Sequence, residues 1–375
     1  MIYLDNCATT KPKDSVVRAV SRALAEDFSN PSSLHSFGFR VDREKEAIRK
    51  QICAYFGCRE GKLYFTSGGT ESNNTALDAY VSGASLGDKN VVTTNIEHPS
   101  VLNVLRNKEI ELREVAVDAS GHIPFEVLDR AIDENTIALS LFHVNNELGS
   151  INPVEEWVPR LKAAHPALKV HIDGVQAVGK LAIDFDAIGC DSYSFSGHKF
   201  HGPKGIGGIL LRRDIAPLIR GGGQEMGFRS GTENIPGIYG LGAAFRALEE
   251  EGIRKEEAEA RVRLLRSLLE EIPEIRINTT EPASPYILNV SIPDTRGEVL
   301  LHILEGREIY ISTSSACSSH RTGKNPVLTA LGLTDREAEG TIRICMSRET
   351  TEEELRIFAA ALAEAVDEVR SIVRR

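Results

Sequence analysis

No CxxC pair occurs among the six cysteines (Cys7, Cys53, Cys58, Cys190, Cys317 and Cys345). In a chain of 375 residues six are too few for a disulfide scaffold. A zinc site has no thiol pair from which to start. Long basic tracts are equally missing. The 44 Lys and Arg are interspersed with 54 Asp and Glu, for a net charge of -10, which disfavours non-specific nucleic-acid binding. No direct, stable nucleic-acid complex is expected, which leaves room only for a local basic patch that meets one RNA or protein partner. No segment reaches the roughly 18 charge-free apolar residues that a membrane helix needs. Asp5 interrupts the apolar start that an export signal requires. A cytoplasmic protein without membrane contact is the expectation. Internal repeats and low-complexity stretches are lacking too.

What is present is the composition of an ordinary soluble enzyme: 41% hydrophobic residues, 31 Gly and 15 Pro, enough chain to bury a large core in more than one domain. Cys53, on a helical run over 41–55, and Cys345, inside a strand-like run over 341–347, read as small buried hydrophobes. Through the first two-thirds of the chain, short β-branched or apolar runs alternate with helical periods. Runs 62–66, 90–95, 136–144 and 169–173 are each followed by a turn, and the first three then lead into helical stretches at 70–80, 99–106 and 153–164. That alternation predicts an α/β protein with a mostly parallel sheet covered by helices. Polar clusters follow the strands, where open α/β sheets place their ligands. From about 237 to 271 the sequence predicts one long helix bridging two units. Beyond it come strands at 286–291, 309–313 and 342–345, a helix at 297–304, and a closing helix opened by Thr350 and Glu353 at capping-box spacing. The predicted organisation is a large domain over 13–252 and a smaller α+β domain formed by 1–12 and 253–375.

Three clusters carry chemistry. In Thr66-Ser67-Gly68-Gly69-Thr70-Glu71-Ser72-Asn73 two glycines permit a tight turn, and Thr70 opens a helix whose unpaired N–H groups suit an anion. A simple N-cap explains the same residues. No Walker lysine follows, so a nucleoside triphosphate is disfavoured. In Ser194-Phe195-Ser196-Gly197-His198-Lys199-Phe200-His201-Gly202-Pro203-Lys204-Gly205, Lys199 lies between small and aromatic residues. Burial there would lower its pKa and make an imine-forming amine, with a structural lysine as the alternative. His198 and His201 lack a placed third ligand for a metal. Asp173, at the end of a strand-like run, has the chemistry to keep a proton on a cofactor ring nitrogen, as pyridoxal phosphate requires, or to act as a cap.

Taken in order, Ile2-Tyr3-Leu4-Asp5-Asn6, Asn30-Pro31-Ser32-Ser33, the 66–74 cluster, Glu97-His98 and His143-Val144-Asn145-Asn146-Glu147-Leu148-Gly149 resemble successive signatures of the cysteine desulfurases. The 171–179 and 194–205 clusters, Arg229-Ser230-Gly231-Thr232, Ser315-Ala316-Cys317-Ser318 and Thr341-Ile342-Arg343 continue that series to the end of the chain. The family consists of fold-type I pyridoxal-phosphate transferases. The resemblance implies a homodimer with its sites at the subunit boundary, and conversion of L-cysteine to L-alanine with the sulfur passed on as a persulfide.

By the same resemblance, Lys199 carries the cofactor and later moves the substrate's α proton. His98 stacks on the ring and assists protonation, Asp173 partners the ring nitrogen, and Gln176 and Asn146 face the phenolic oxygen and the substrate. Thr70, Ser196 and His198 bind the phosphate, joined by Thr232 of the partner subunit. Asn30 and Arg343 hold the substrate carboxylate, and Cys317 accepts the sulfur. The surroundings of Cys317 are too polar for a core strand and rich in small residues, which suits a thiol that has to serve both substrate and acceptor. Ser315-Ala316-Cys317-Ser318 resembles the longer-loop group, which delivers sulfur to separate proteins such as an iron-sulfur cluster scaffold or a tRNA-thiolating enzyme. His320-Arg321-Thr322-Gly323-Lys324-Asn325 departs from that group's usual sequence, and Cys7 departs from its usual Asn, Ser or Gly-like occupant, reading best as a buried thiol. A selenocysteine lyase, another β-lyase or an aminotransferase on the same fold, and a non-catalytic assembly protein, are the competing readings.

Overall fold

A computed structural model describes residues 1–82, 87–314 and 325–373. A seven-stranded sheet forms its larger half, in the spatial order Lys62–Thr66, Gly207–Leu211, Ser192–Ser196, Lys169–Asp173, Thr136–Phe142, Asn90–Thr94, Glu111–Val115. Neighbours from Ser192–Ser196 to Glu111–Val115 run parallel, whereas Gly207–Leu211 is antiparallel to both strands beside it. The mostly parallel sheet read from the alternation of runs is the architecture observed.

Period-two alternation sorts the side chains of this sheet. Leu63, Phe65, Val92, Leu139, Leu141, Val170, Ile172, Tyr193, Phe195 and Leu210 join the main hydrophobic core. Residues between them turn to the other side. There, Tyr64, Ile209 and Leu211 pack with Ala76, and Val91 and Ala138 with Leu77 and Val81, all from helix Gly69–Val81. At the centre of this second face the apolar pattern is interrupted. His171 and Asp173 stand paired with Ser192 and Ser194 in parallel register. All four are buried. Buried polar groups are costly unless hydrogen-bonded, so this strip marks where the sheet has given up apolar packing.

The second half of the molecule holds an antiparallel sheet in the order Ser312–Thr313, Thr341–Cys345, Ile287–Ser291, Arg276–Ile277. Helix Glu352–Val373 packs against both Lys255–Leu269 and Gly297–Glu305 beside it. Its core residues, such as Ile287, Ile344 and Leu355, are continuous with those of the large sheet. The N-terminal segment links the two. Ile2–Tyr3 pairs in parallel with Ile309–Tyr310, Asp5 bridges to Cys345, and Thr10 Oγ1 donates to the carbonyl of His198 at 2.9 Å.

Three local expectations are corrected. The long helix over 237–271 is two helices, Ile235–Glu251 and Lys255–Leu269, because Gly252 takes φ +63°, a conformation that glycine adopts without Cβ strain. The single strand over 309–313 is split between two sheets on either side of Ile311. The capping box of the last helix lies one residue later: Glu354 N–H donates to Thr351 Oγ1 at 3.2 Å, and Thr351 N–H to Glu354 Oε2 at 2.8 Å. Thr350 Oγ1 instead accepts from Ser347 N–H.

Helix Ser36–Tyr55 is tied to this frame by a buried ion pair. Arg49 Nη1 and Nη2 donate to the two oxygens of Glu225 at 2.9 and 2.7 Å, and Phe65 N–H donates to Glu225 Oε2 at 2.9 Å. Burial works against the guanidinium charge, but Glu225 and Glu46 hold it firmly protonated. Arg49→Met should cost about 3 kcal/mol in chemical denaturation, since Glu225 is left buried without its cation. A loss below about 1 kcal/mol would show that the pair is not a structural tie.

Candidate active site

A cleft of about 360 Å³ opens beside the polar strip of the sheet, and nine of the twelve residues singled out from sequence line it: Thr70, His98, Asn146, Asp173, Gln176, Ser196, His198, Lys199 and Arg343. They come from the ends of strands, the starts of helices and the small sheet, so no short stretch of sequence could have brought them together.

Lys199 ends the single turn Gly197–Lys199 that follows strand Ser192–Ser196. Its Nζ donates to the carbonyls of Cys7 and Ala8 at 2.6 and 2.9 Å, and no carboxylate among the described residues lies within ion-pair reach. Burial lowers the pKa of this amine, with Lys180 and Arg343 adding repulsion. The unprotonated amine is the form that attacks a carbonyl carbon, and burial favours it.

Asp173 closes its strand where the chain enters the cleft. Its Oδ1 accepts from Val175 N–H at 3.0 Å and its Oδ2 from Asn73 Nδ2 at 2.8 Å. His98 caps helix Pro99–Arg106, with Nδ1 accepting from Ser100 N–H at 3.1 Å. Its pKa is lowered, first by burial and also by Lys199, against the opposing pull of Asp173. Glu97, its neighbour in sequence, is fully buried, and desolvation followed by repulsion from Asp173 raises its carboxyl well above the usual range.

Helix Gly69–Val81 starts at the edge of the cleft. Gly68 sits at φ +149° and a Cβ there would lie 3.2 Å from Ser196 Oγ, whereas a Cβ on Gly69 would meet Val175 at 2.4 Å. Only glycine lets the helix start come this close, which brings Thr70 and the first-turn N–H groups near Ser196 and His198. His198 Nδ1 lies 3.2 Å from Thr9 Oγ1, and its pKa falls to about 4 through burial and the nearby Lys199 and Lys204. His201 turns away to the carbonyl of Lys11. The two histidines therefore serve different neighbours.

Gln176 is held between Cys7 and Lys180: its Nε2 donates to the Cys7 carbonyl at 3.0 Å and its Oε1 accepts from Lys180 Nζ at 2.6 Å. Arg343 is buried in the small sheet. Its Nη1 donates to Glu147 Oε1 at 2.8 Å and to the Asn146 carbonyl at 3.0 Å, and its Nη2 to Asp5 Oδ1 at 3.3 Å. Its Nε is buried with no hydrogen-bond partner among the described residues.

Three residues stand apart. Asn30 is exposed and accepts from Ser32 N–H, away from Arg343 within this chain. Thr232 is exposed beside Gly231, which lines a separate cavity of about 140 Å³ with Ser67 and Arg229. Cys317 lies outside the described residues. Sequence reading missed the supporting polar groups: Asn73 and Ser100 behind Asp173 and His98, Lys180 behind Gln176, and Asp5 with Glu147 around Arg343. Asn73, Asp5 and Glu147 fall inside motifs already singled out, but their partners are distant in sequence and no spacing rule connects them.

The arrangement suits pyridoxal phosphate. A desolvated amine with no carboxylate partner among the described residues faces the same cavity as an acid, an imidazole and a helix start that only glycine permits, and that donor set matches an aldehyde, a pyridine nitrogen and a phosphate. A family model, "Aminotransferase class-V", matches residues 2–358. A "NifS/IcsS protein homolog" of Lactobacillus delbrueckii subsp. bulgaricus is 38% identical over 373 residues, 97% of each chain. A "Cysteine desulfurase" of Nostoc sp. is 36% identical over 380 residues, 99% of this chain and 94% of that one. A solved "NIFS-LIKE PROTEIN" superposes with a TM-score of 0.88 at 36% identity, covering 98% of this chain and 99% of the other. The chain therefore belongs to the class-V aminotransferases of fold type I, and among these pyridoxal-phosphate enzymes to the cysteine desulfurases.

Proposed function

We propose that the protein takes sulfur from L-cysteine, releases L-alanine, and carries the sulfur as a persulfide on Cys317 to an acceptor protein. The observation that carries this reading is the convergence on one cleft of Lys199, whose amine has no carboxylate partner among the described residues, with Asp173, His98 and Arg343. Bound there, pyridoxal phosphate supplies an attachment point for the substrate's amine and an electron sink for its Cα.

The protein's own residues do the rest. Thr70, Ser196, His198 and the N–H groups opening helix Gly69–Val81 receive the phosphate, and Asp173 keeps the ring nitrogen protonated. Gln176 and Asn146 face the ring's phenolic oxygen and the substrate. Arg343 takes the substrate carboxylate, for which it has a free Nε among the described residues, and Asn30 joins it on the partner-facing side. Lys199 removes and returns the proton at the substrate's Cα, with His98 as the second proton carrier. The Cys317 thiolate attacks the substrate's sulfur: the S–S bond forms as the C–S bond breaks, and Cβ gains a proton. The sum is cysteine plus Cys317 thiol giving alanine plus Cys317 persulfide.

Thr232 completes the phosphate site from the partner subunit in a homodimer. The exposed Phe28, Leu34, Phe39, Leu218 and Met226 favour such an assembly, and Leu218 lines a cavity that shares Thr70 and His98 with the cleft. Sedimentation should give twice the chain mass. The acceptor is a separate cytoplasmic protein such as an iron-sulfur scaffold or a tRNA-thiolating enzyme. Among the described residues no helix is long and apolar enough to cross a membrane. The domain division at 13–252 against 1–12 with 253–375 is part of the same reading and is supported by the two sheets.

With cysteine and a thiol reductant, the holoenzyme should release alanine and sulfide in equal amounts. Pyruvate as the main carbon product would contradict the reading in favour of a β-lyase. Asp173→Asn should retain cofactor and lose several tens-fold in turnover, on the order of 2 kcal/mol in the barrier. Near-normal turnover would remove Asp173 from its role.

A further inference from the structure

Behind the cleft, the buried polar strip forms one connected hydrogen-bond chain whose donors and acceptors can be assigned without ambiguity. Asn73, fully buried on helix Gly69–Val81, sits at its centre. Its Nδ2 lies 2.8 Å from Asp173 Oδ2 and 2.9 Å from Ser100 Oγ, and its Oδ1 lies 2.9 Å from His171 Nε2 and 2.6 Å from Ser194 Oγ. The amide orientation is forced, because the opposite flip would set a carbonyl oxygen against a carboxylate. His171 must then donate from Nε2. Burial takes its pKa down to about 4, so it is neutral, and its Nδ1 accepts from Ser192 Oγ at 2.8 Å, which in turn receives the Tyr80 hydroxyl at 2.9 Å.

On the other branch, His98 Nδ1 accepts the backbone N–H of Ser100 at 3.1 Å, so the Ser100 hydroxyl, whose oxygen accepts from Asn73, turns its own proton to the same nitrogen at 2.7 Å. Two donors aimed at Nδ1 leave no place there for a proton, and neutral His98 must carry its proton on Nε2.

We propose that Asn73 is a positioning residue whose single amide sets both proton-handling groups of the cleft at once, holding Asp173 as an acceptor and, through Ser100, holding His98 neutral with its proton on Nε2. The proposal rests on the reading of Asp173 and His98 as partners of the cofactor. It explains why the sheet gives up apolar packing at His171, Ser192 and Ser194: the strip exists to orient one asparagine.

The test uses the holoenzyme labelled with nitrogen-15 histidine, the His98 signal being assigned by its loss in His98→Gln. In the wild type, His98 should show an unprotonated Nδ1 and a protonated Nε2, and should stay neutral to lower pH than free imidazole. Ser100→Ala removes one donor from Nδ1 and should raise the His98 titration midpoint by about one pH unit, leaving the pH dependence of the cofactor absorbance unchanged. Ser100→Thr should restore the wild-type titration. Asn73→Asp, nearly the same shape but without the amide donors, should move the His98 titration and the cofactor absorbance together. A His98 signal that responds to cofactor removal but ignores Ser100→Ala, or a wild-type Nδ1–H tautomer, would overturn the proposal alone. A signal indifferent to cofactor removal would overturn the reading of the site and the proposal with it.

Discussion

Lys199→Ala is expected to give a folded protein that no longer holds pyridoxal phosphate covalently and turns over cysteine at least ~10³-fold more slowly, about 4 kcal/mol in the barrier. The size follows from two losses in one substitution if Lys199 is, as proposed, both the attachment point for the cofactor and the base that moves the α proton. Folding should survive, because the amine's hydrogen bonds among the described residues go to the carbonyls of Cys7 and Ala8, which lie beside the open cleft. Borohydride reduction of the wild type followed by peptide mapping should place the pyridoxyl group on Lys199. Lys180 is the discriminating control. It is also an amine lowered by burial, but its Nζ is committed to Gln176 Oε1. Label on Lys180 or Lys204 would contradict the assignment.

Cys317→Ser should separate the two halves of the reaction. Cofactor and cysteine should still bind, since neither step uses the acceptor thiol, while alanine release and persulfide formation fall by at least ~10³-fold. A serine hydroxyl stays protonated near neutral pH, whereas a thiol with a reference pKa of about 8.5 supplies a few per cent of a more polarisable thiolate. Melting temperature should hardly change, because the neighbours Ser315, Ser318 and Ser319 are already small and polar. A different thiol, Cys7, lines the cleft, and the result must be judged against it. Burial opposes its ionisation, but a hydrogen bond with Cys345 and the charges of Lys180, Arg343 and Lys199 pull its pKa below the usual thiol range. Alanine release by Cys317→Ser at the wild-type rate would remove Cys317 from the mechanism, and Cys7→Ser in that background would show whether Cys7 had replaced it.

Much of this was legible before any coordinates. Strands buried on both faces read as apolar runs, and the turns after them carry small and polar residues, so the strands near 62–66, 90–94, 136–142 and 169–173 and the positions of Thr70 and Asp173 just beyond them are legible from periodicity, whereas Glu111–Val115, Ser192–Ser196 and Gly207–Leu211, shorter on apolar residues or rich in serine and glycine, are not. The long helix failed at Gly252 because a glycine inside a helical pattern does not say whether it will be tolerated or will take φ +63°. The strand over 309–313 failed because its two halves pair with partners at opposite ends of the chain, Ile2–Tyr3 and Thr341–Cys345. Composition also hid the site's supports. His171, Ser192 and Ser194 look like defects in apolar strands until Asn73, 98 positions before His171, is found bonded to it. The clamp around Arg343 was hidden for the same reason, since Asp5 lies 338 positions away from it.

The central claim is that sulfur leaves cysteine onto Cys317 of this protein. Holoenzyme freed of bound sulfur by reductant, then desalted and mixed with one equivalent of L-cysteine, should be quenched with a thiol-blocking alkylator and examined by peptide mass spectrometry. The account predicts one extra sulfur atom on the peptide containing Cys317, appearing together with an equal amount of alanine. Alanine or sulfide forming while the Cys317 peptide gains no sulfur, or the extra sulfur residing on Cys7, would contradict it.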